Sequence, residues 1–345
     1  MTVPKTLLGL LKRYSPSGEE AGAVNFLVEH MGSLGYSQAY VDEVGNAIGI
    51  MGNGNRQVVL LGHIDTVPGE IPVRQEDDLL YGRGSVDAKG PLAAFVDAVA
   101  EIGEFAGFQF VVIGAVGEEN DSIGARQIVD QFQPAAAIIG EPSAWDRVTL
   151  GYKGSAWARI TRQQFTAHSA GESRSAAEAV VEDWIRIQKW AEEYNRDHER
   201  VFEQVSPTLS SMASNGDGFE ETASLDISFR LPLSMTPQML YKELGKLLEA
   251  SQFEELGYAI PAHLGDKNNP LVRSFLRAIR QQDGQPRFVR KTGTADMNIV
   301  GPVWGCPILA YGPGDSSLDH TPNEHISVEE YNKAVRVLGA VLKSL

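Results

Sequence analysis

The chain has very little cysteine, a shortage of positive charge and no long apolar run, and each absence excludes a class of protein. A single cysteine, Cys306, cannot form an internal disulfide, which excludes a disulfide-rich secreted scaffold and favours a reducing compartment. The net charge of −15 leaves too few cations to neutralise nucleic-acid phosphates or to bind an anionic membrane. No stretch resembles an export signal or a membrane span, so we expect a cytoplasmic protein.

The apolar residues that are present, 43% of the chain, are enough for sizeable cores. In the first part of the chain, apolar strand-like runs such as 58–62 and 135–141 alternate with helical patterns such as 91–104. Ser17 is predicted to cap a helix that ends near Leu34. This alternation predicts an α/β fold with a mostly parallel central sheet and helices on both faces.

A different pattern follows residue 151. The order strand, helix, strand, strand, helix, strand, with the last strand near 258–264, is that of a ferredoxin-like α+β unit. The α/β pattern then resumes. We therefore expect a catalytic domain made of residues 1–151 and 266–345, and an inserted ferredoxin-like domain made of residues 152–265.

Polar side chains follow several of the predicted buried strands, where open α/β sheets bind their ligands. The run 58–62 leads into a histidine and an aspartate, and similar positions elsewhere carry further carboxylates and one more histidine. Two imidazoles and several carboxylates without a cysteine suit zinc, cobalt or manganese better than magnesium or calcium. The residues are His63, Asp65, Asp87, Glu118, Glu119, Glu141 and His320.

Each of these residues also has an ordinary structural explanation. Asp87 could cap a helix, and the Glu118–Glu119 pair could complement a helix dipole. A lone histidine at a strand end commonly satisfies a nearby carbonyl, and Glu141 could be a solvated loop carboxylate. Their coincidence at one edge of a single predicted sheet favours a functional site over these separate explanations.

Seven short motifs extend this pattern along nearly the whole chain. With them, the chain resembles the co-catalytic zinc aminoacylase and deacylase family, which includes glutamate carboxypeptidase, acetylornithine deacetylase and succinyl-diaminopimelate desuccinylase. The resemblance implies a hydrolase of linear amide bonds that uses two divalent metal ions, zinc or alternatively cobalt. The motifs, in the order of the family, are "SPSGEE", "GHIDTVP", "GRGSVDAKG", "GEE", "GEPS", "AHSAG" and "GPGDSSLDHTPNEH".

The same resemblance implies a role for each candidate ligand. His63 and Glu141 would hold one metal, Glu119 and His320 the other, and Asp87 would bridge the two. These assignments agree with the preference of such metals for imidazole and carboxylate ligands.

Three further residues receive catalytic roles by the resemblance. Asp65 would orient the ring of His63, since a metal-binding histidine needs its second nitrogen held. Glu118 would be the general base that accepts a proton from the attacking water and passes it to the leaving amine. His168, in the inserted domain, would stabilise the oxyanion in the partner subunit's site, which implies a homodimer. By itself, a histidine such as His168 is more often structural.

Among family members, the chain looks most like those that release lysine or ornithine from the terminal glutamate of a small acidic amino-group carrier protein, in lysine and arginine biosynthesis. Arg230 and Asn215 match positions that bind a substrate carboxylate or carbonyl, although Arg230 could instead form an interdomain salt bridge. Lys291 matches a substrate-side loop. Asp319 would favour a cationic substrate side chain, or would simply face solvent or contact His320.

Several other functions remain open from the sequence. A free N-acetyl-ornithine or N-acetyl-lysine deacetylase, a succinyl-diaminopimelate desuccinylase and a dipeptidase use the same chemistry. A catalytically silent binding module would not need Glu118. A phosphoesterase is disfavoured because no cluster of Arg and Lys accompanies the motifs. We therefore expect an amide hydrolase that acts with a carrier protein and binds neither nucleic acid nor membrane.

Overall fold

The structure is a computed structural model that describes residues 3–166, 174–248 and 250–345. The chain divides into two compact units. Unit 1 comprises Met1–Gly151, Gly265–Arg290 and Ala295–Leu345, and unit 2 comprises Tyr152–Leu264 and Lys291–Thr294. None of the described helices combines the length and the apolar character that crossing a membrane requires.

The helices of unit 1 alternate with its strands, as the apolar pattern predicts. Its helices are α1 (Lys5–Leu11), α2 (Ala21–Ser33), α3 (Lys89–Ile102), α4 (Ile123–Ile128), α7 (Pro270–Gln281), α8 (Met297–Trp304) and α9 (Val328–Leu342), and those of unit 2 are α5 (Ala176–Asn195) and α6 (Pro237–Leu247).

The strands belong to a large sheet, a four-stranded sheet and a small three-stranded sheet. Their bounds are β1 (Gln38–Val41), β2 (Ala47–Met51), β3 (Arg56–His63), β4 (Arg74–Glu76), β5 (Leu79–Tyr81), β6 (Phe108–Ala115), β7 (Ala136–Gly140), β8 (Arg147–Tyr152), β9 (Gly154–Phe165), β10 (Ser206–Gly216), β11 (Glu220–Leu231), β12 (Gln252–Ile260), β13 (His263–Leu264), β14 (Arg287–Lys291), β15 (Ile308–Ala310) and β16 (His325–Ser327).

The large sheet of unit 1 has the order β1-β2-β6-β3-β7-β15-β8. Its centre, β6-β3-β7-β15, is parallel, and β2 and β8 join it in antiparallel fashion. The run Val58–Leu61 in β3 is almost fully buried because helices cover both faces of the sheet. The predicted α/β class with a mostly parallel sheet is confirmed.

Close approach of α3 to the sheet depends on glycine. A Cβ atom built on Gly140 would lie 2.9 Å from the ring of Phe95 in α3, and one on Gly62 would lie 3.3 Å from Leu92 Cβ. Real Cβ atoms avoid contacts this short, so larger residues here would push α3 away from the strands. The helix that follows Asp87 is therefore packed directly over the strand that ends at His63.

Unit 2 is a layer of two helices on an antiparallel sheet of order β10-β11-β9-β12. Alternate residues of β11, such as Leu225, Ile227 and Phe229, are buried under α5 and α6. Helix α5 begins with a capping box between Ser175 and Glu178. Strand β10 lies at the edge of the sheet, and most of its residues are exposed.

Two local predictions are wrong. Ser17 does not cap α2, which begins at Ala21 after Glu20, because the Ser17 hydroxyl donates to Asp65 Oδ2 at 2.6 Å instead. The strand predicted near 258–264 is two strands in the structure: β13 covers His263–Leu264, and β12 begins at Gln252, earlier than predicted, and ends at Ile260. The exposed residues of β12 outnumber its buried ones, so the apolar pattern marks it weakly.

A candidate dinuclear metal centre at the end of the parallel strands

Three neighbouring strands of unit 1 deliver polar side chains to one edge of the sheet. Strand β3 ends at His63 and pairs in parallel with β6 on one side and β7 on the other. Glu118 and Glu119 follow β6, and Glu141 follows β7. Because parallel strands end at the same edge, these side chains converge where the sequence predicts a site.

Three groups of potential metal ligands form at this edge, and two of them share Asp87. These two are His63, Asp87 and Glu141, and Asp87, Glu119 and His320; the third is His63, Glu118 and Glu119. Within each group the ligand atoms lie within 4.8 Å of one another. The residues predicted to hold two bridged metals are thus brought together in that arrangement.

The carboxylate of Asp87 lies between the two histidine rings. Its Oδ1 is 3.0 Å from His63 Nε2, and its Oδ2 is 3.1 Å from His320 Nε2. His320 Nε2 is also 3.0 Å from Glu119 Oε1. We call His63, Asp87, Glu119, Glu141 and His320, together with Glu118, the ligand cluster.

Asp65 organises the cluster from behind. Its Oδ1 lies 3.3 Å from His63 Nδ1, so the ring presents Nε2 to Asp87. The two carboxylate oxygens also accept hydrogen bonds, each of 3.1 Å, from the backbone N–H groups of Glu118 and Glu119. One fully buried carboxylate therefore holds both a histidine ligand and the turn that carries the glutamate pair.

A second buried carboxylate, Glu324, holds the turn that carries Asp87. Glu324 is 1% exposed, and it accepts hydrogen bonds of 3.1, 2.9 and 3.1 Å from the backbone N–H groups of Gly84, Val86 and Asp87. It also pairs with Arg83 at 2.9 Å. The sequence alone does not identify a role for Glu324. The only available signal was its place in the motif that carries His320.

His320 occupies an uncommon backbone conformation. Its φ of 61° lies in the left-handed region, which residues other than glycine rarely adopt. Its side chain is 49% exposed, whereas that of His63 is 1% exposed. One side of the cluster is therefore buried in the protein and the other is open to solvent.

Burial and neighbouring charges shift the pKa values in the cluster. Burial raises the pKa of Glu118 well above its usual value, the carboxylates of Glu141 and Asp296 act in the same direction, and His63 opposes them. Burial alone would lower the pKa of His63, but its hydrogen bonds with Asp65 and Asp87 outweigh that effect and raise the pKa.

Asp296, which precedes α8, is a further buried carboxylate close to this centre. It is 2% exposed, and burial raises its pKa to about 7, with the charge of His63 opposing and that of Asp65 assisting. The carboxylates at this centre repel one another, and a bound cation would reduce that repulsion. Imidazole nitrogen and carboxylate oxygen are donors that divalent zinc, cobalt or manganese accept, so the donor set fits such metals.

The remaining predicted site residues lie elsewhere. In unit 2, Arg230 donates to Thr294 Oγ1 at 2.6 Å, the Lys291 carbonyl accepts from the Lys153 N–H, and Asn215 is exposed on β10. In unit 1, Asp319 is half-buried beside His320. His168 lies outside the described residues.

The family of the chain follows from a comparison of its sequence with family models. The model of peptidase family M20/M25/M40 matches residues 59–344, which include every member of the ligand cluster. The chain belongs to this family. The predicted family is confirmed, and the M20 chain is a metal-dependent hydrolase, as the motifs predicted.

Two M20 relatives are similar over nearly their whole length. A "[LysW]-lysine hydrolase" of Deinococcus radiodurans is 43% identical, with 96% of this chain and 93% of the relative covered. A "Putative [LysW]-lysine/[LysW]-ornithine hydrolase" of Thermococcus kodakarensis is 42% identical, with 97% and 90% covered.

Solved structures show the same fold. The M20 family metallo-carboxypeptidase Sso-CP2 of Sulfolobus solfataricus matches with a TM-score of 0.79 at 18% identity, covering 98% of both chains. A tripeptidase of Staphylococcus aureus matches with a TM-score of 0.78 at 18% identity, covering 98% of this chain and 96% of the other.

Proposed function

We propose that the protein hydrolyses the amide that joins lysine or ornithine to the terminal glutamate of a small acidic amino-group carrier protein, in the cytoplasm. The observation that carries this proposal is the 43% and 42% identity, over nearly the whole chain, to hydrolases named for LysW-linked lysine and ornithine. Solved M20 structures at 18% identity support the fold but do not distinguish substrates.

The ligand cluster would hold two divalent metal ions, zinc or alternatively cobalt. His63 and Glu141 would bind one ion, Glu119 and His320 the other, and Asp87 both. When bound, such ions polarise the amide carbonyl and lower the pKa of the attacking water. The supporting observation is that Asp87 belongs to two of the three groups of convergent ligand atoms.

Glu118 would act as the general base. Two observations support this role: its ligand atom lies within 4.8 Å of those of His63 and Glu119, and its backbone N–H donates to Asp65. It would accept the proton of the attacking water and deliver it to the leaving amine. His168 would donate to the oxyanion, an assignment that rests on the "AHSAG" motif.

Substrate contacts are assigned by motif position. Arg230, Asn215 and Lys291 would bind carboxylate or carbonyl groups of the substrate. Asp319, immediately before His320, would favour the cationic side chain of lysine or ornithine.

Unit 2 would form a homodimer in the manner of an inserted dimerisation domain. Edge strand β10 offers unpaired backbone groups, and Met212 on it is 49% exposed. Val181 and Ile185 on α5 are also exposed, and a cavity of about 400 Å³ lies between α5 and Met212. If His168 serves the partner subunit's site, mixing inactive His168→Ala and Glu118→Gln chains will restore activity. Proven subunit exchange without recovery would refute the shared site.

The proposed reaction is tested with defined substrates. Purified metal-loaded enzyme is given a carrier protein whose terminal glutamate is linked to lysine or ornithine, and, separately, N-acetyl-lysine and N-acetyl-ornithine. We expect kcat/KM to be higher for a carrier conjugate than for either acetylated amino acid. Faster turnover of N-acetyl-ornithine than of any conjugate would identify a free deacetylase instead.

A further inference from the structure

One segment of unit 1 has a charge opposite to that of the protein. Residues 267–290, which include α7 and most of β14, carry six basic side chains and one acidic one, a net charge of +5, whereas the whole chain carries −15. Such separation of charge affects which molecules approach each surface, because exposed charges steer association over about a Debye length.

The arginines of α7 all lie on its exposed face. Arg273, Arg277 and Arg280 are exposed and spaced four and three residues apart, so they form one stripe along the helix. The opposite face, which includes Phe275 and Ile279, is buried. In the described part of the chain neither Arg273 nor Arg277 forms an ion pair. Like charges one turn apart also destabilise a helix. Neither the stability of α7 nor ion pairing within the described part of the chain therefore explains why these arginines lie together.

The segment reaches the edge of the sheet that carries the ligand cluster. The turn after α7 packs against Trp145, since a Cβ on Gly284 would lie 2.8 Å from its ring. The N–H of Arg287, at the start of β14, donates to the Asp146 carbonyl at 3.3 Å. Asp146 is five residues after Glu141, so their Cα atoms are within about 18 Å.

The same loop touches the segment that leads to His320. The Ser143 N–H donates to the Gly312 carbonyl at 3.1 Å, and the Ala144 N–H donates to the Gly314 carbonyl at 3.0 Å. A cavity of about 310 Å³ lies between these two loops, lined in part by Asp146 and Asp315. The basic segment thus contacts the loop that follows Glu141, and that loop in turn contacts the segment that leads to His320.

We propose that Arg273, Arg277, Arg280 and Arg287, the arginine face, form the docking surface for an acidic region of the carrier protein. This inference rests on the proposed function. A carrier whose terminal glutamate is linked through its side chain keeps a free α-carboxylate, so the tail that enters the site is anionic. The cationic lysine or ornithine would be repelled by arginine, which excludes the amino acid itself as the occupant.

A docking surface of this kind also resolves an electrostatic problem. An acidic carrier that approaches a protein of net charge −15 is repelled at most orientations. The arginine face lies beside the sheet edge that carries the ligand cluster. It therefore lowers the repulsion only when the carrier is oriented with its terminal glutamate near that cluster. The arginine face would then act mainly on the rate at which the carrier associates with the enzyme, with little effect on the chemical step.

The test compares two double charge reversals. Arg273→Glu/Arg277→Glu changes the arginine face, and Lys242→Glu/Lys246→Glu makes the same charge change with the same spacing on exposed positions of α6. Circular dichroism, thermal unfolding and metal content verify that each variant is folded and loaded. Steady-state kinetics with the lysine-linked carrier are then measured at low and high salt.

For the arginine-face variant we expect KM to rise about tenfold at low salt with kcat nearly unchanged, and the difference to shrink at high salt. The α6 variant should match the wild type. Equal KM values for the two variants, or a loss that salt does not reduce, would overturn the docking surface. Failure of the wild type to cleave any carrier conjugate would instead overturn the proposed function, so the two outcomes are distinguishable.

Discussion

The ligand cluster and the arginine face each gather charge of largely one sign in unit 1, and they do so in opposite ways. Behind the cluster, Asp65 and Glu324 are buried, and each accepts several backbone hydrogen bonds that hold the turns carrying the ligands. On the arginine face, Arg273 and Arg277 extend into solvent. Buried charges act through geometry and respond sharply to single substitutions, while exposed charges act through their sum and respond to salt.

The largest effect is expected from a change to one half-buried carboxylate of the ligand cluster, Glu118. Glu118→Gln keeps the shape of the side chain but cannot accept a proton, so we expect kcat to fall by about 10²–10⁴-fold. Metal content, measured by atomic emission, should stay near that of the wild type because Glu119 and the other ligands remain. Full turnover in a metal-loaded Glu118→Gln protein would contradict the role of general base.

A smaller effect is expected from Glu324, which holds the backbone turn behind Asp87 and pairs with Arg83. Glu324→Gln retains volume but replaces an acceptor with a donor where three N–H groups point. Because the turn that presents Asp87 loses its support, we expect divalent-metal affinity to fall by about 10–100-fold, measured by isothermal titration calorimetry.

The matched control for Glu324 is Glu329→Gln on α9, an exposed carboxylate paired only with Lys333 on the helix surface. It should leave metal affinity unchanged, since surface pairs contribute little. If Glu324→Gln binds metal as tightly as Glu329→Gln does, Glu324 is not a positioning residue.

The smallest effect concerns a buried lysine in unit 2. Lys153 Nζ in unit 2 donates to the carbonyls of Val201 and Gln204 at 3.1 and 2.5 Å and to Ser206 Oγ at 3.1 Å. Lys153→Met removes these three hydrogen bonds, so we expect a loss of about 1–3 kcal/mol in the free energy of unfolding at neutral pH.

Lys153 should also make stability depend on pH. Burial, helped by the charge of Arg230, lowers its pKa from 10.5 to about 8. Between these values the folded state binds fewer protons than the unfolded state, so the wild type should gain stability relative to Lys153→Met as pH rises from about 8 to 10.5. Urea unfolding across that range measures the difference, and a flat difference would show that the lysine titrates normally when folded.

The parts of the fold that were predictable are those with strong local patterns. The apolar run Val58–Leu61 predicts a strand covered on both faces. A polar residue directly after such a run indicates the edge of a parallel sheet where ligands bind. That reasoning located His63, Glu119 and Glu141 at one place before any contact was known. Only the class of the fold, not the order of strands within the sheet, follows from such patterns.

The parts that were not predictable depend on contacts between distant segments. Ser17 looks like a helix cap because the sequence cannot reveal that Asp65, 48 residues away, competes for its hydroxyl. Glu324 looks like a loop carboxylate until the turn at Gly84–Asp87 is seen to aim three N–H groups at it. Strand β12 has few buried residues, so periodicity placed it too late in the chain.

The convergent ligands are drawn from distant points of the chain, from residue 63 to residue 320. No partly folded fragment of unit 1 can therefore offer both groups that share Asp87 at once, and a cation that binds them selects the complete sheet over every unfolded form. At a free metal concentration of 100 times the dissociation constant, such binding adds about 2.7 kcal/mol to stability. Metal supply would then govern how long the chain survives proteolysis as well as how fast it works, which makes abundance in the cell responsive to the same ions as catalysis.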